Sequence, residues 1–268
     1  MGDQNQPIRQ VVIITDCIDI AFNEMHQELK NLISEKRMRS LQIAPMAKVK
    51  NFSVTNSSFV IRLLADSYPA KETLFVVVVS GLGTNPSRIF GCTKQGLRFV
   101  GNNSGYFHWL IQDFGLQAIY KNNTCRRVNG KSFGGKYVQI PTAVKLIEGT
   151  PMDELGQRMS PDFMESLPIA DGTVVHVDNF GLMKIKAPPL NFQEGQRLHL
   201  SVNSSQDLVA IYSEKMKRQK DGEWVLFPGS SLDGLPELGK VRSQNSAQEL
   251  GITEGDLLRW TPVIPSRT

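Results

Sequence analysis

Residues 75–84 read FVVVVSGLGT, in which five apolar residues, four of them valine, lead directly into a Ser-Gly-Leu-Gly turn. A short continuous apolar run that ends in a turn is typical of a strand buried on both faces, as found centrally in α/β sheets. In open sheets of this kind, ligands bind at the carboxyl ends of the strands, where glycines let the backbone approach a bound group. The stretch therefore predicts a central strand whose following loop lies at a ligand site.

A second buried-strand pattern, VVIIT at residues 11–15, leads into Asp16 and places it at the same edge of the sheet. Strands are also predicted at residues 47–52, 89–92 and 97–100, the last two as a hairpin. Apolar residues at helical spacing predict helices at residues 22–33, 57–68, 106–114 and 138–147. Because strands and helices alternate, we predict an α/β domain at residues 8–158 with a mostly parallel, doubly wound sheet.

Prolines, a serine and charges interrupt this pattern near residues 156–168, where we place a linker. Short alternating runs follow, at residues 173–177, 182–185, 198–202, 208–212, 224–227, 240–242 and 257–261. Short strands at roughly ten-residue spacing, separated by Gly, Pro, Asn and Asp, are typical of an antiparallel β-barrel or sandwich. We predict that residues 168–264 form this second domain.

Composition excludes several classes of function. The 268 residues carry a formal charge of only +4, which is well short of the Lys/Arg density of a nucleic-acid-binding protein. The cysteines Cys17, Cys92 and Cys125 lack metal-binding or disulfide-framework spacing, so neither a metal site nor a disulfide scaffold is expected. No apolar run is long enough to span a bilayer, so we expect a cytoplasmic protein without a membrane partner.

Seven short segments, in order, resemble the S-adenosylmethionine (SAM)-cleaving adenosyltransferases, which comprise the SAM hydroxide adenosyltransferases and the SAM-dependent chlorinases and fluorinases. The segments are residues 15–18 (TDCI), 44–52, 63–69, 78–84, 99–105 (FVGNNSG), 177–181 (VDNFG) and 245–255. The resemblance implies an α/β N-terminal domain, a C-terminal β-barrel and a homotrimer. It also implies displacement of methionine from C5′ of SAM by water or halide, without a metal.

The resemblance further implies which residues hold the adenosyl ligand. Asp16 is expected to accept hydrogen bonds from the ribose diol, although a turn or N-cap aspartate after a strand is nearly as common. The other ligand-binding candidates are Asn103, Asp178, Phe180, Asn245 and Ala247. Asp178 and Phe180 have plain structural alternatives, as a turn cap and as a core aromatic residue.

The catalytic residues of the hydroxide-forming enzymes are absent at the aligned positions. Val79 stands in place of the family's Asp, Pro86 in place of its Arg, and Gly134 in place of its His. We expect that Arg88 and His108 could replace them only after a rearrangement. Hydrolysis by the family mechanism is therefore not expected.

A halide needs no base, because it is already anionic and has only to be desolvated and held. A glycine at position 134 resembles the chlorinases, so Gly134 and Thr84 are the candidate catalytic positions, although a flexible Gly134-Gly135 turn is the simpler interpretation. The family's methionine-binding Asn is Leu182 here. Two hypotheses follow: a divergent SAM-cleaving enzyme with an adenosyl pocket, or a non-enzymatic ligand-binding or scaffold protein that keeps the trimer.

Overall fold

The computed structural model describes residues 6–80, 86–123, 132–203 and 206–263. The chain divides into two compact units, Met1–Pro168 and Ile169–Thr268. Among the described residues, no helix combines the length and the apolar character needed to cross a membrane.

Unit 1 is an α/β unit, as the sequence predicts. Its strands are β1 (Gln10–Thr15), β2 (Gln42–Ile43), β3 (Ala47–Lys48), β4 (Thr73–Val78), β5 (Arg88–Thr93), β6 (Arg98–Asn102), β7 (Leu116–Asn122) and β8 (Gly156–Met159). Its helices are α1 (Ile20–Leu32), α2 (Glu35–Met38), α3 (Val54–Ala65), α4 (His108–Phe114), α5 (Ile140–Ile147) and α6 (Met152–Leu155). A π-helical turn, Gly135–Gln139, leads directly into α5.

The sheet of unit 1 is mixed: among the described residues, four of its strand pairings are parallel and three are antiparallel. Its order is β2-β1-β4-β6-β5-β7-β8, and β3 pairs with the end of β1. Strands β2, β1, β3, β4 and β6 run parallel, whereas β5 pairs antiparallel with both β6 and β7, and β7 pairs antiparallel with β8. The hairpin from β5 to β6 reverses the chain through Gly96, whose φ is +94°, and a short hairpin forces antiparallel pairing.

The stretch that predicts a central strand forms one. Every residue of β4 is buried, and β4 lies between β1 and β6. Leu74, Val76 and Val78 pack in the core that α1 and α5 cover, whereas the ring of Phe75 meets Tyr68 at 6.1 Å on the alternate side. Burial on both faces explains the unbroken apolar run.

Other predicted elements differ at their ends. The strand predicted at residues 47–52 is reduced to Ala47–Lys48, and the chain turns at residues 51–52, where Phe52 adopts a left-handed backbone with φ +60°. The four predicted helices are present as α1, α3, α4 and α5, each shifted by up to three residues. The predictions omit β2, β7, β8, α2 and α6.

Unit 2 is a curled β unit. Its elements are β9 (Thr173–Val177), β10 (Met183–Lys186), β11 (Arg197–Val202), β12 (Gln206–Tyr212), β13 (Trp224–Pro228), β14 (Pro236–Lys240), α7 (Ser246–Glu249) and β15 (Leu258–Pro262). The sheet order is β15-β11-β12-β13-β14-β10-β9, and its core includes Val174, Met183, Leu200, Leu226 and Leu238.

Two predictions for unit 2 are wrong. The sheet is not a closed antiparallel barrel, because β12 and β13 are parallel and β9 meets the segment before β15 at an isolated bridge, Thr173 to Leu257. The strand predicted at residues 240–242 lies at Pro236–Lys240, because Arg242 has a left-handed φ of +55° that ends the extended backbone.

Candidate functional site

The carboxylate of Asp16 ties together the carboxyl ends of three strands. β1 and β4 pair in a register that sets Thr15 beside Val78, and the Thr15 hydroxyl donates to the Val78 carbonyl at 2.7 Å. Asp16 then accepts the Ser80 N–H after β4, at 3.1 Å from each oxygen, and the Phe52 N–H after β3, also at 3.1 Å. With 8% of its surface exposed, Asp16 is a buried acceptor fixed at the edge where ligands bind in such sheets.

Phe52, whose backbone N–H binds this carboxylate, is a half-exposed aromatic residue. Its left-handed φ of +60° is uncommon for a bulky residue, and the hydrogen bond to Asp16 holds that conformation. Half of its surface, 51%, remains exposed. Ile18 and Ile20, which follow Asp16 in the chain, are exposed as well.

The thiol of Cys17 adjoins Asp16 and remains protonated. Its Sγ lies 3.7 Å from Asp16 Oδ1. Burial raises the pKa of the Cys17 thiol, and the neighbouring Asp16 carboxylate raises it further. A thiol with a raised pKa is a poor nucleophile near neutral pH.

Arg88 fills the space that a side chain at position 134 would take. A Cβ atom placed on Gly134 would lie 3.0 Å from Arg88 Nη2 and 3.5 Å from Gln139 Oε1. The guanidinium also donates to the Pro86 carbonyl at 3.0 Å. Arg88 therefore lies beside Gly134, because β5 begins at Arg88 and its side chain extends to that residue. That Arg88 could replace a family catalytic residue only after a rearrangement stays a prediction.

Gln139 brings a buried amide to the same place. It is 2% exposed, its Nε2 donates to Asn102 Oδ1 at 3.0 Å, and its Oε1 has no hydrogen-bond partner among the described residues. The π-helical turn that ends at Gln139 is a local irregularity of a kind frequent at functional sites. An unpaired buried acceptor is costly, so it indicates a place for a bound donor.

Asn102, which accepts the Gln139 amide, is held in turn by Tyr106. The Tyr106 hydroxyl accepts the Asn102 N–H, and complete burial raises the pKa of Tyr106 above its usual range. A Cβ atom on Gly101 would lie 2.7 Å from that hydroxyl, so glycine is required for the close approach. Tyr106 thus stays protonated and positions the end of β6.

The remaining residues predicted for unit 1 have other surroundings. Asn103 donates to the Phe163 carbonyl and accepts the Glu165 N–H, each at 2.7 Å, so its side chain fastens the segment after β8. His108 Nδ1 contacts Ser166 Oγ at 3.1 Å. Val79 is buried, and Thr84 lies outside the described residues.

The four residues predicted in the C-terminal half lie together in unit 2. Asp178 Oδ1 accepts the N–H groups of Phe180 and Leu182 at 2.9 Å, so it caps the turn from β9 to β10, as its structural alternative proposes. Gly181, with φ +77°, packs against Asn245 and Ser246, and its carbonyl accepts the Ala247 N–H. Phe180 is 62% exposed, so it is not a core aromatic residue.

Leu182 contributes packing instead of an amide. A Cβ atom on Gly239 would lie 2.2 Å from Leu182 Cδ2, so the isobutyl group rests on the backbone of β14. The described residues hold no cluster of three or more His, Cys, Asp or Glu side chains placed to bind a metal ion.

The sequence analysis did not identify three residues of the candidate site, Phe52, Ser80 and Gln139. A buried Gln in an apolar helix just before Pro141 is a signal that sequence reading could use. Ser80 acts through its backbone N–H and Phe52 through a left-handed turn, and neither has a signal in the side-chain pattern.

Comparisons with known proteins are consistent with this geometry. The sequence model of the SAM hydroxide adenosyltransferase N-terminal domain matches residues 12–156. The (R)-S-adenosyl-L-methionine hydrolase of Methanocaldococcus jannaschii is 23% identical over 208 residues, which cover 74% of this chain and 76% of that protein.

Two solved structures share the fold. An uncharacterized conserved protein from Thermotoga maritima superposes with a TM-score of 0.78 at 21% identity, over 94% of this chain and all of its own. A conserved hypothetical protein from Thermus thermophilus gives a TM-score of 0.74 at 18% identity, over 95% of this chain and all of its own.

Proposed function

We propose that this chain, which belongs to the SAM hydroxide adenosyltransferase family, binds SAM or a related adenosyl ligand at Asp16. The observation that carries the proposal is the buried Asp16 carboxylate, held by the backbone N–H groups of Ser80 and Phe52 where three strands end. A fixed acceptor at this edge suits a vicinal diol, which is the recognition element of ribose.

Asp16 keeps capacity for such a ligand. An ionised carboxylate accepts about four hydrogen bonds. Its donors here are the Ser80 N–H, which is shared between both oxygens, the Phe52 N–H and the weak Cys17 thiol at 3.7 Å, and they leave acceptor capacity for a ligand hydroxyl group. Phe52, which binds Asp16 through its backbone N–H and is half exposed, adds an aromatic side chain to this part of the chain that can receive a base or sugar. Together they match the polar and apolar halves of a nucleoside.

The reaction that we propose is in-line attack on C5′ of SAM. A bond forms between the nucleophile and C5′ while the bond from C5′ to sulfur breaks. The electron pair of that bond passes to the sulfonium sulfur, which leaves as the neutral thioether of methionine. The leaving group needs no acid, so the protein has to position the ligand and hold the nucleophile.

The residues around Gly134 support an anionic nucleophile. Val79 and Pro86 offer no proton acceptor, and water attack requires one. A halide does not, and the Arg88 guanidinium next to Gly134 supplies a cation for it. Gln139 Oε1, a buried acceptor 3.5 Å from the same point, suits a donor such as a ligand hydroxyl or a water.

A second candidate function is non-enzymatic: a ligand-binding or scaffold protein that keeps the family's trimer. Leu182 favours it, because a leucine packed on Gly239 removes the donor and acceptor that an amide would give to the amino-acid part of SAM. The domain boundaries 8–158 and 168–264, the homotrimer and the cytoplasmic location belong to the proposal and apply to both candidates.

Product analysis separates the two functions. The protein is incubated with SAM in chloride, in bromide and without halide, and chromatography then detects adenosine and the 5′-halo-5′-deoxyadenosines. A halogenated product that forms only when Arg88 is present supports attack by halide. Adenosine as the only product supports attack by water. Heat of SAM or adenosine binding with no product supports the non-enzymatic function, and neither heat nor product refutes the adenosyl site.

A further inference from the structure

A cavity of about 400 Å³ opens at the sheet edge opposite Asp16, entirely within unit 1. Its walls come from Gln6 to Ile8 before β1, Lys71 before β4, Arg98 at the start of β6, and the segment after α5. Asp16, in contrast, follows the end of β1. The volume lies within the range of small-ligand sites.

The lining is strongly cationic. It carries four positive side chains, Arg37, Lys71, Lys94 and Arg98, against one carboxylate, Asp153. That carboxylate has a partner of its own, because burial and a hydrogen bond with Asp153 raise the pKa of the Tyr120 hydroxyl, which therefore stays protonated and donates. The charge balance of the cavity favours an anionic occupant.

Arg98 is held in a fixed orientation at the cavity wall. Its Nη1 donates to the Lys71 carbonyl at 3.1 Å and its Nη2 to the Gln6 carbonyl at 2.8 Å. Burial lowers the pKa of the Arg98 guanidinium, yet an arginine remains charged at neutral pH. A cation that is partly removed from water gains more from a nearby anion than an exposed one does.

Arg37 reaches the cavity past the backbone of Gly149. Gly149 has φ +91°, and a Cβ atom there would make an ordinary contact of 3.5 Å with Arg37 Nη2. Part of the cavity wall is apolar, formed by the buried residues Ile8, Cys92 and Ile147, and polar side chains such as Gln117 and Thr150 complete the lining. The cavity thus combines positive charge with an apolar surface.

We propose that this cavity binds a phosphate monoester that carries an apolar or aromatic group. A phosphate monoester bears close to two negative charges at neutral pH, which suits four cations better than a single carboxylate would. Arginine forks bind phosphate oxygens in pairs, and the lysines add point charges. The apolar wall receives the organic group. This site is independent of the adenosyl site at Asp16.

Calorimetric titration of the full chain with phenyl phosphate tests the proposal, alongside inorganic phosphate, benzoate and phenol. We expect phenyl phosphate to bind with a Kd below about 1 mM, more tightly than each of the other three compounds. Arg37→Gln or Lys94→Gln should weaken phenyl phosphate binding about tenfold, the loss of one charge-assisted contact. Binding should also weaken as salt rises.

Arg39→Gln is the matched control, because Arg39 lies two residues from Arg37 with an 83% exposed side chain outside the cavity. It should change the Kd by less than about twofold. Asp16→Ala should leave phenyl phosphate binding intact, so failure of the adenosyl site is distinguishable from failure of this one. No binding at millimolar phenyl phosphate, equal effects of Arg37→Gln and Arg39→Gln, or tighter binding of benzoate would overturn the proposal.

Discussion

The backbone N–H of Ser80 lies 3.1 Å from both carboxylate oxygens of Asp16. This contact joins the ends of β1 and β4, the two adjacent buried strands at the centre of the sheet. The Asp16 carboxylate therefore holds the ends of the two strands together and is also the candidate hydrogen-bond acceptor for a ligand. The structural and the ligand-binding interpretations of Asp16 are therefore compatible.

Asp16→Asn should lower the free energy of unfolding by about 1–3 kcal/mol, because the amide NH₂ would face backbone N–H donors in a buried place. Urea unfolding measures the change. Asp19→Asn is the control, since Asp19 accepts the Ala21 N–H as an exposed N-cap, where Asn serves as well as Asp. Equal losses for the two variants would contradict a special role of Asp16.

Gly134→Ala and Gly135→Ala should have different effects on the free energy of unfolding. Gly134 has helical backbone angles, φ −59° and ψ −36°, and the atom it would crowd is the end of the flexible Arg88 side chain. Alanine there should leave stability unchanged or raise it by up to about 1 kcal/mol, while it displaces Arg88 and changes halide dependence.

Gly135→Ala would place a Cβ atom 2.7 Å from both Met25 Sδ and Val78 Cγ1 in the core. Overpacking of this kind should cost about 1–3 kcal/mol in unfolding experiments. If both alanine variants were equally stable, the assigned packing of the turn before α5 would be wrong.

Gly181→Ala should destabilise unit 2 more than Gly195→Ala. Both glycines have a left-handed backbone, φ +77° and +81°, so both substitutions incur about 1–2 kcal/mol of strain. Only at Gly181 would the new Cβ atom also meet backbone, 2.7 Å from Ser246 N, whereas Gly195 has nothing within 4 Å. Thermal unfolding of both variants isolates this contact between the Asp178 turn and Asn245–Ala247.

The stability of the chain should fall as the pH drops below about 6.5, partly because of His176. Burial lowers the pKa of His176 from its ordinary value of 6.5, so the unfolded chain binds the proton more readily than the folded one. The His176 contribution is therefore fully present above pH 6.5 and is lost as pH falls toward the lower folded value.

Urea unfolding at pH 7.5 and 5.5 should show a smaller pH dependence in His176→Gln than in the parent chain. His199→Gln, at an exposed position of β11, controls for the loss of a histidine. An unchanged pH dependence in His176→Gln would contradict the assignment.

Patterns of burial allowed much of the fold to be predicted. β4 and β1 are buried on both faces and show unbroken apolar runs, and β11 alternates buried residues with exposed or half-buried ones. β9 has the bounds that were predicted for it. Two-residue strands such as β2 carry too few residues for any period. The parallel pairing of β12 with β13 depends on contacts between segments that are distant in sequence, and local sequence patterns do not reveal it.

The candidate site was predictable where a side chain carries the chemistry and not where the backbone does. Asp16 follows a buried strand, so its place at the sheet edge could be predicted. The backbone N–H of Ser80 and the left-handed turn at Phe52 have no such signal. Arg88 reaches Gly134 through three-dimensional packing, although the two are far apart in sequence.

The most direct test of the account compares adenosine with 2′,3′-dideoxyadenosine by calorimetric titration of the parent chain and of Asp16→Ala. If Asp16 accepts the ribose hydroxyls, the parent should bind adenosine at least about tenfold more tightly than the dideoxynucleoside, the value of a hydrogen bond to a charged group. Asp16→Ala should bind the two equally. A parent chain that does not discriminate, or an Asp16→Ala chain that still does, would contradict the central claim that Asp16 holds an adenosyl ligand.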